Sequence, residues 1–112
     1  MVGLDGQPLA MHVLLVDDSG IIRRQGENFL EQLGATCVTL EDGDQVQHAL
    51  ASTGRPFDAI LMDIVMHRSD GAQVTAELRA RYGVRCPIIA MTAHNRPADM
   101  LRYYSMGFDV VL

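Results

Sequence analysis

The sequence runs to 112 residues, one domain's worth, and its hydrophobic share of 48% suffices for a single core. A formal net charge of −5 argues against a nucleic-acid surface in this segment. No apolar run approaches the roughly 20 residues of a membrane span, and the start lacks the basic-then-apolar profile of a signal peptide. Cys37 and Cys86 lie far apart without metal-ligand spacing and read as buried apolar thiols in a reducing compartment, so a cytoplasmic setting is expected. All nine basic residues are Arg.

Residues 1–11 contain Gly3, Gly6 and Pro8, show no periodicity, and read as a linker or tail. Strands and helices then alternate. His12–Val16 is an apolar strand that ends in Asp17-Asp18, and Ser19 can cap a helix over Ile21–Leu33, with Gly34 closing it. On that helix Ile22, Phe29, Leu30 and Leu33 share one face. Ala35–Leu40 is a second strand, Glu41–Asp44 a turn with N-cap options, and Gln45–Ser52 a short helix. Gly54-Arg55-Pro56 breaks the chain before a third strand, Phe57–Met62, which runs into Asp63. After a loop over His67–Gly71, Ala72–Tyr82 is helical, with Val74 and Leu78 facing inward and Gly83 as the stop. Pro87 opens a fourth strand, Ile88–Met91, followed by Thr92-Ala93. Pro97 starts a helix to Met106, Gly107 caps it, and Asp109–Leu112 begins a fifth strand.

The pattern is (βα)₄β, which calls for an α/β fold with a parallel sheet. A doubly wound strand order of 2-1-3-4-5 sets the carboxyl ends of strands one, three and four side by side, where ligands of such sheets bind. Asp17, Asp18, Asp63 and Thr92 all fall at that edge. Carboxylates gathered there repel one another unless a cation joins them, and a hard divalent ion with oxygen ligands, Mg²⁺, suits them. Asp18 is the better direct ligand, with Asp17 acting directly or through water, and the backbone carbonyl of Val65 completes the protein's share. Asp63 is the candidate nucleophile, since a carboxylate can attack a phosphoryl group to give an acyl phosphate. The Thr92 hydroxyl can donate to a phosphoryl oxygen, and Ala93 leaves room for the anion.

Val13 to Ser19, Ile60 to Met66, Asp70-Gly71 and Met91-Thr92-Ala93, in that order, resemble the receiver (response-regulator) domain of two-component signalling over 12–112. The Met91-Thr92-Ala93 wording and Arg23-Arg24-Gln25 through Phe29-Leu30 look most like receivers of hybrid sensor histidine kinases. The resemblance implies a flavodoxin-like fold and a phosphorelay role. Asp63 would accept a phosphoryl group from the phosphohistidine of a histidine kinase or histidine phosphotransfer protein. Asp17, Asp18, Asp63 and the Val65 carbonyl would hold Mg²⁺, and Thr92 would be the switch hydroxyl.

Several positions depart from the family pattern. The usual lysine after strand five has no counterpart, and neither has the last helix, so the segment reads as a receiver truncated at its C-terminus. An uncovered apolar surface beside the first helix is then expected, and it invites homodimerisation. The usual Pro after Met66 is His67, which reads as a loop residue, with pH sensing as the second reading. His94 and Val65 point to modest autodephosphorylation, and of Tyr103 and Tyr104 one is expected to pack and the other to face solvent. Two other functions fit less well. A Mg²⁺-dependent aspartyl-phosphate phosphatase or phosphotransferase usually needs a second carboxylate two residues after the nucleophile, where this chain has Val65. A degenerate receiver used only for docking would not need all three acidic residues.

Overall fold

The computed structural model describes residues 11–93 and 96–112. Five parallel strands, β1 (His12–Val16), β2 (Thr36–Leu40), β3 (Ala59–Asp63), β4 (Ile88–Met91) and β5 (Val110–Val111), lie in the order β2-β1-β3-β4-β5. Four α-helices connect them: α1 (Gly20–Gln32), α2 (Val46–Ser52), α3 (Gly71–Arg81) and α4 (Pro97–Met106). This is the doubly wound, flavodoxin-like arrangement expected from the sequence. Ser19 caps α1 by accepting from the Ile22 N–H, and Asp70 caps α3 by accepting from the Ala72 N–H. Gly107, at φ 114°, closes α4 in the left-handed region that other residues avoid.

Side chains alternate across the sheet and split the core into two unequal halves. Leu14, Val16, Ile60, Met62, Ile88 and Ala90 point to the α2, α3 and α4 side, where they pack with Val46, Ala72, Leu78, Tyr103 and Phe108. On the other side Leu15 is buried, and Gly26 in α1 approaches it so closely that a Cβ would stand 2.7 Å from Leu15 Cδ2. Leu61, Ile89 and Val110 share Leu15's face, being in register with it across the sheet. Helix α1 does not reach over them. Phe29 is 62% exposed and Val110 43%, and α1 buries no residue completely. The open apolar strip expected from the sequence is therefore present.

The structure shifts some boundaries. The third strand starts at Ala59 rather than Phe57, because pairing with β1 begins at Val13 opposite Ala59. Phe57 instead stacks its ring on His12 at 4.6 Å, buried ahead of the strand. Tyr103 is buried and Tyr104 is 45% exposed, which divides the pair as expected. Cys37, on β2, and Cys86, in the loop before β4, are free and only half-buried. Burial, with help from Glu27 and Glu31, still pushes the Cys37 thiol up to about 11, so it is inert at neutral pH.

Arg79 joins α3 to the amino ends of β4 and β5. Its Nε donates to the Gly107 carbonyl (3.0 Å), Nη1 to those of Val84 (2.9 Å) and Cys86 (2.8 Å), and Nη2 to Asp109 Oδ2 (2.7 Å). Asp109 Oδ2 also accepts from the Ile88 N–H at 2.9 Å. Arg79→Ala is expected to lower unfolding stability by about 2–3 kcal/mol in a urea titration, because three carbonyls and a carboxylate lose a charged donor together. Arg79→Lys should recover only part of that, since one ammonium cannot span four acceptors.

Candidate metal centre and acceptor carboxylate

Strand pairing brings the acidic residues together. Val16 stands opposite Met62, so Asp17 leaves β1 beside the end of β3, where Asp63 is the last strand residue. Asp63 is in register with Met91, and Thr92 is the next residue of that chain. One carboxylate oxygen from each of Asp17, Asp18 and Asp63 lies within 4.8 Å of the others. Asp17 is 7% exposed and firmly held. Its Oδ1 accepts from the Ser19 N–H (2.8 Å), its carbonyl from Arg23 Nη1 (2.6 Å), and its own N–H donates to the Leu40 carbonyl (3.1 Å). Asp18 is less buried, with 26% of its side chain exposed.

This crowding changes the chemistry of Asp63. Burial pushes its pKa up to about 6, the neighbouring charges of Asp17 and Asp18 push the same way, and the Val65 N–H partly offsets them. Burial, reinforced by Asp18, also raises Asp17, against the Ser19 N–H and Arg23. Three oxygen donors, at least two of them reluctant to ionise together, fit a hard divalent cation, whose charge would remove the repulsion.

The pH dependence follows. Asp63 has a folded pKa above its unfolded value of 3.8, so protonation of the cation-free protein contributes stability below about pH 4 that is lost as pH rises through about 6. A cation needs the ionised form and competes with that proton. Calorimetric titration should therefore show Mg²⁺ affinity falling about tenfold per pH unit below pH 6 and levelling off above about pH 7.

The loop after β3 is built close against the site. A Cβ at Gly71 would collide with the Asp63 carbonyl oxygen and stand 2.9 Å from its carbonyl carbon, so only glycine lets α3 begin there. The Gly71 N–H donates to the Ile64 carbonyl at 2.7 Å. Val65 pairs with Asp70 in an antiparallel bridge, and the Met66 N–H donates to the Ser69 carbonyl (3.3 Å). Asp42, buried at the end of β2, accepts from the Arg68 N–H at 2.9 Å. Arg68 itself reaches Asp44 (Nε to Oδ2, 2.7 Å) and Glu41 (3.5 Å). His67 Nδ1 lies 3.5 Å from Asp18 Oδ2, and Asp70 meets Arg102 of α4 at 3.3 Å.

The expected site residues Asp17, Asp18 and Asp63 are thus gathered. Thr92 follows the strand neighbouring Asp63, and Val65 lies two residues beyond Asp63 with its side chain 64% exposed. His94 lies outside the described residues. Sequence reasoning did not reach Arg23, Asp42 or the close approach of Gly71. Asp42 belonged to a segment read as a turn with N-cap options, although an acidic residue just past an apolar strand was already the signal used for Asp17 and Asp63.

Residues 13–112 match the model of the response regulator receiver domain. The chain belongs to this family. Among curated relatives it is 37% identical over 122 residues to a probable histidine kinase 2 of Oryza sativa subsp. indica, covering 96% of this chain and 11% of the relative. It is also 37% identical over 100 residues to the transcription factor SKN7 of Chaetomium thermophilum, covering 89% of this chain and 13% of the relative. The chain therefore spans roughly a tenth of the length of these proteins. A solved Francisella response regulator 1452 receiver domain superposes with a TM-score of 0.83 over 91% of this chain and 82% of that one, at 22% identity, which supports the fold. The family places the chain in two-component signalling. No described helix is long and apolar enough to cross a membrane.

Proposed function

We propose that this receiver takes a phosphoryl group from the phosphohistidine of a histidine kinase or histidine phosphotransfer protein onto Asp63. The observation that carries the reading is the gathering of three carboxylates within 4.8 Å at the carboxyl edge of a receiver fold. Asp17, Asp18, Asp63 and the Val65 backbone carbonyl would hold Mg²⁺. When bound, Mg²⁺ neutralises charge on the phosphoryl oxygens. An Asp63 carboxylate oxygen forms the new bond to phosphorus as the phosphorus–nitrogen bond of the donor breaks, and the donor imidazole keeps the electron pair. The Thr92 hydroxyl then donates to a phosphoryl oxygen. The added charge biases the surface formed by α4 and β5, for which the Asp70–Arg102 contact offers a short route from the loop beside Asp63. The open strip beside α1 is where self-association would occur.

A small phosphodonor tests this. With acetyl phosphate and Mg²⁺, a single phosphoryl adduct should map to the peptide containing Asp63. It should vanish in Asp63→Asn and with a chelator. Absence of any adduct would leave the chain a docking module, and sustained phosphate release from many donors would make it an enzyme; either result overturns the proposal.

A further inference from the structure

Among the described residues, His67 is an imidazole that the structure sets beside the acidic pocket. Its backbone position is fixed from both sides. The Val65–Asp70 bridge and the Met66-to-Ser69 hydrogen bond close the loop, and Asp42 holds the next residue through the Arg68 N–H (2.9 Å). The Arg68 guanidinium is drawn away to Asp44 and Glu41. That leaves His67 Nδ1 3.5 Å from Asp18 Oδ2, a contact distance too long for a good hydrogen bond. The side chain is 71% exposed, so the ring can turn toward the pocket without displacing any packing.

Imidazole and carboxylate select different cations. Mg²⁺ gains little from a nitrogen donor, whereas first-row transition cations bind imidazole well and gain affinity along the Irving–Williams series. We infer that His67 lends an imidazole nitrogen to the Asp17–Asp18–Asp63 pocket and so widens its cation range to first-row transition metals such as Co²⁺, beyond what three carboxylates would favour. The inference rests on the reading of that pocket as a cation site. Nitrogen ligation requires the ring to have an unprotonated nitrogen facing the ion, and a neutral imidazole always offers one. A ring that only orients Asp18 would instead support every cation alike.

Calorimetric titration of the whole chain with Mg²⁺ and with Co²⁺ separates these roles, counting only the Co²⁺ that excess Mg²⁺ displaces. His67→Ala should weaken Co²⁺ by about tenfold or more while leaving Mg²⁺ within about threefold. In the unaltered chain, Co²⁺ should also shift the ring proton resonances of His67 far outside their normal range. Equal losses for both ions, or an unchanged Co²⁺ affinity, would overturn the inference while leaving the pocket standing. Asp18→Asn should weaken both ions. If it weakens neither, or if the unaltered chain binds no Mg²⁺, the pocket itself is refuted.

Discussion

Asp18→Asn is expected to weaken Mg²⁺ binding by at least the 10–100-fold, roughly, that loss of a mere outer-sphere partner costs a metal site. The amide keeps the shape of the carboxylate but offers a neutral oxygen, so the structural consequences are small and the electrostatic ones large. The variant also changes the proton balance. Asp18 is one of the charges that, after burial and Asp17, keep Asp63 at about 6, and it shares a hydrogen bond with Asp63 that raises it further. Neutralising position 18 should move the Asp63 midpoint downward and steepen ionisation at acidic pH. The cation-free variant should accordingly melt higher than the unaltered chain at pH 7 or so, where the three-way repulsion is fully developed. Weaker binding together with a higher cation-free melting temperature would be hard to explain by misfolding. Thermal melts with and without Mg²⁺ read both effects at once.

Gly71→Ala is expected to be the most damaging single methyl in the chain. The Cβ would enter the Asp63 carbonyl, which is backbone at the end of a central strand and cannot swing aside. Either α3 backs away, or the end of β3 bends and carries Asp63 out of the pocket. A stability loss of about 2–3 kcal/mol, at the upper end of overpacking costs, should accompany a drop in Mg²⁺ affinity. Gly54→Ala supplies the control, because no atom lies within 4 Å of a Cβ placed there. It should leave stability within about 0.5 kcal/mol and metal affinity unchanged.

The three central strands were legible because their apolar runs are short, continuous and flanked by helical patterns. With strands and helices alternating, the doubly wound order 2-1-3-4-5 expected for the sheet sets Asp17, Asp18 and Asp63 at one edge, and the structure has that order. What escaped depended on partners distant in sequence. Phe57 reads as the start of β3 by propensity, yet its ring is taken by His12 from another strand. Arg79 stands in the last turn of α3, and only the fold delivers the carbonyls of Val84, Cys86 and Gly107 to it. The thiols looked buried from residue type, whereas the structure leaves both partly open. His67 was visible as a departure from the family pattern, but its approach to Asp18 depends on a loop pinned by Asp42 from the turn after β2.

In the function proposed above, one edge of the sheet is a cation pocket surrounding an acceptor carboxylate. Its most direct test is a Mg²⁺ titration followed through backbone amide resonances. The amides of Asp17, Asp18, Asp63, Val65 and Thr92 should shift together along one saturable curve, while those of Thr53 and Cys86 at the opposite edge stay in place. A titration in which the first group does not saturate, or in which the two edges respond alike, would contradict the account.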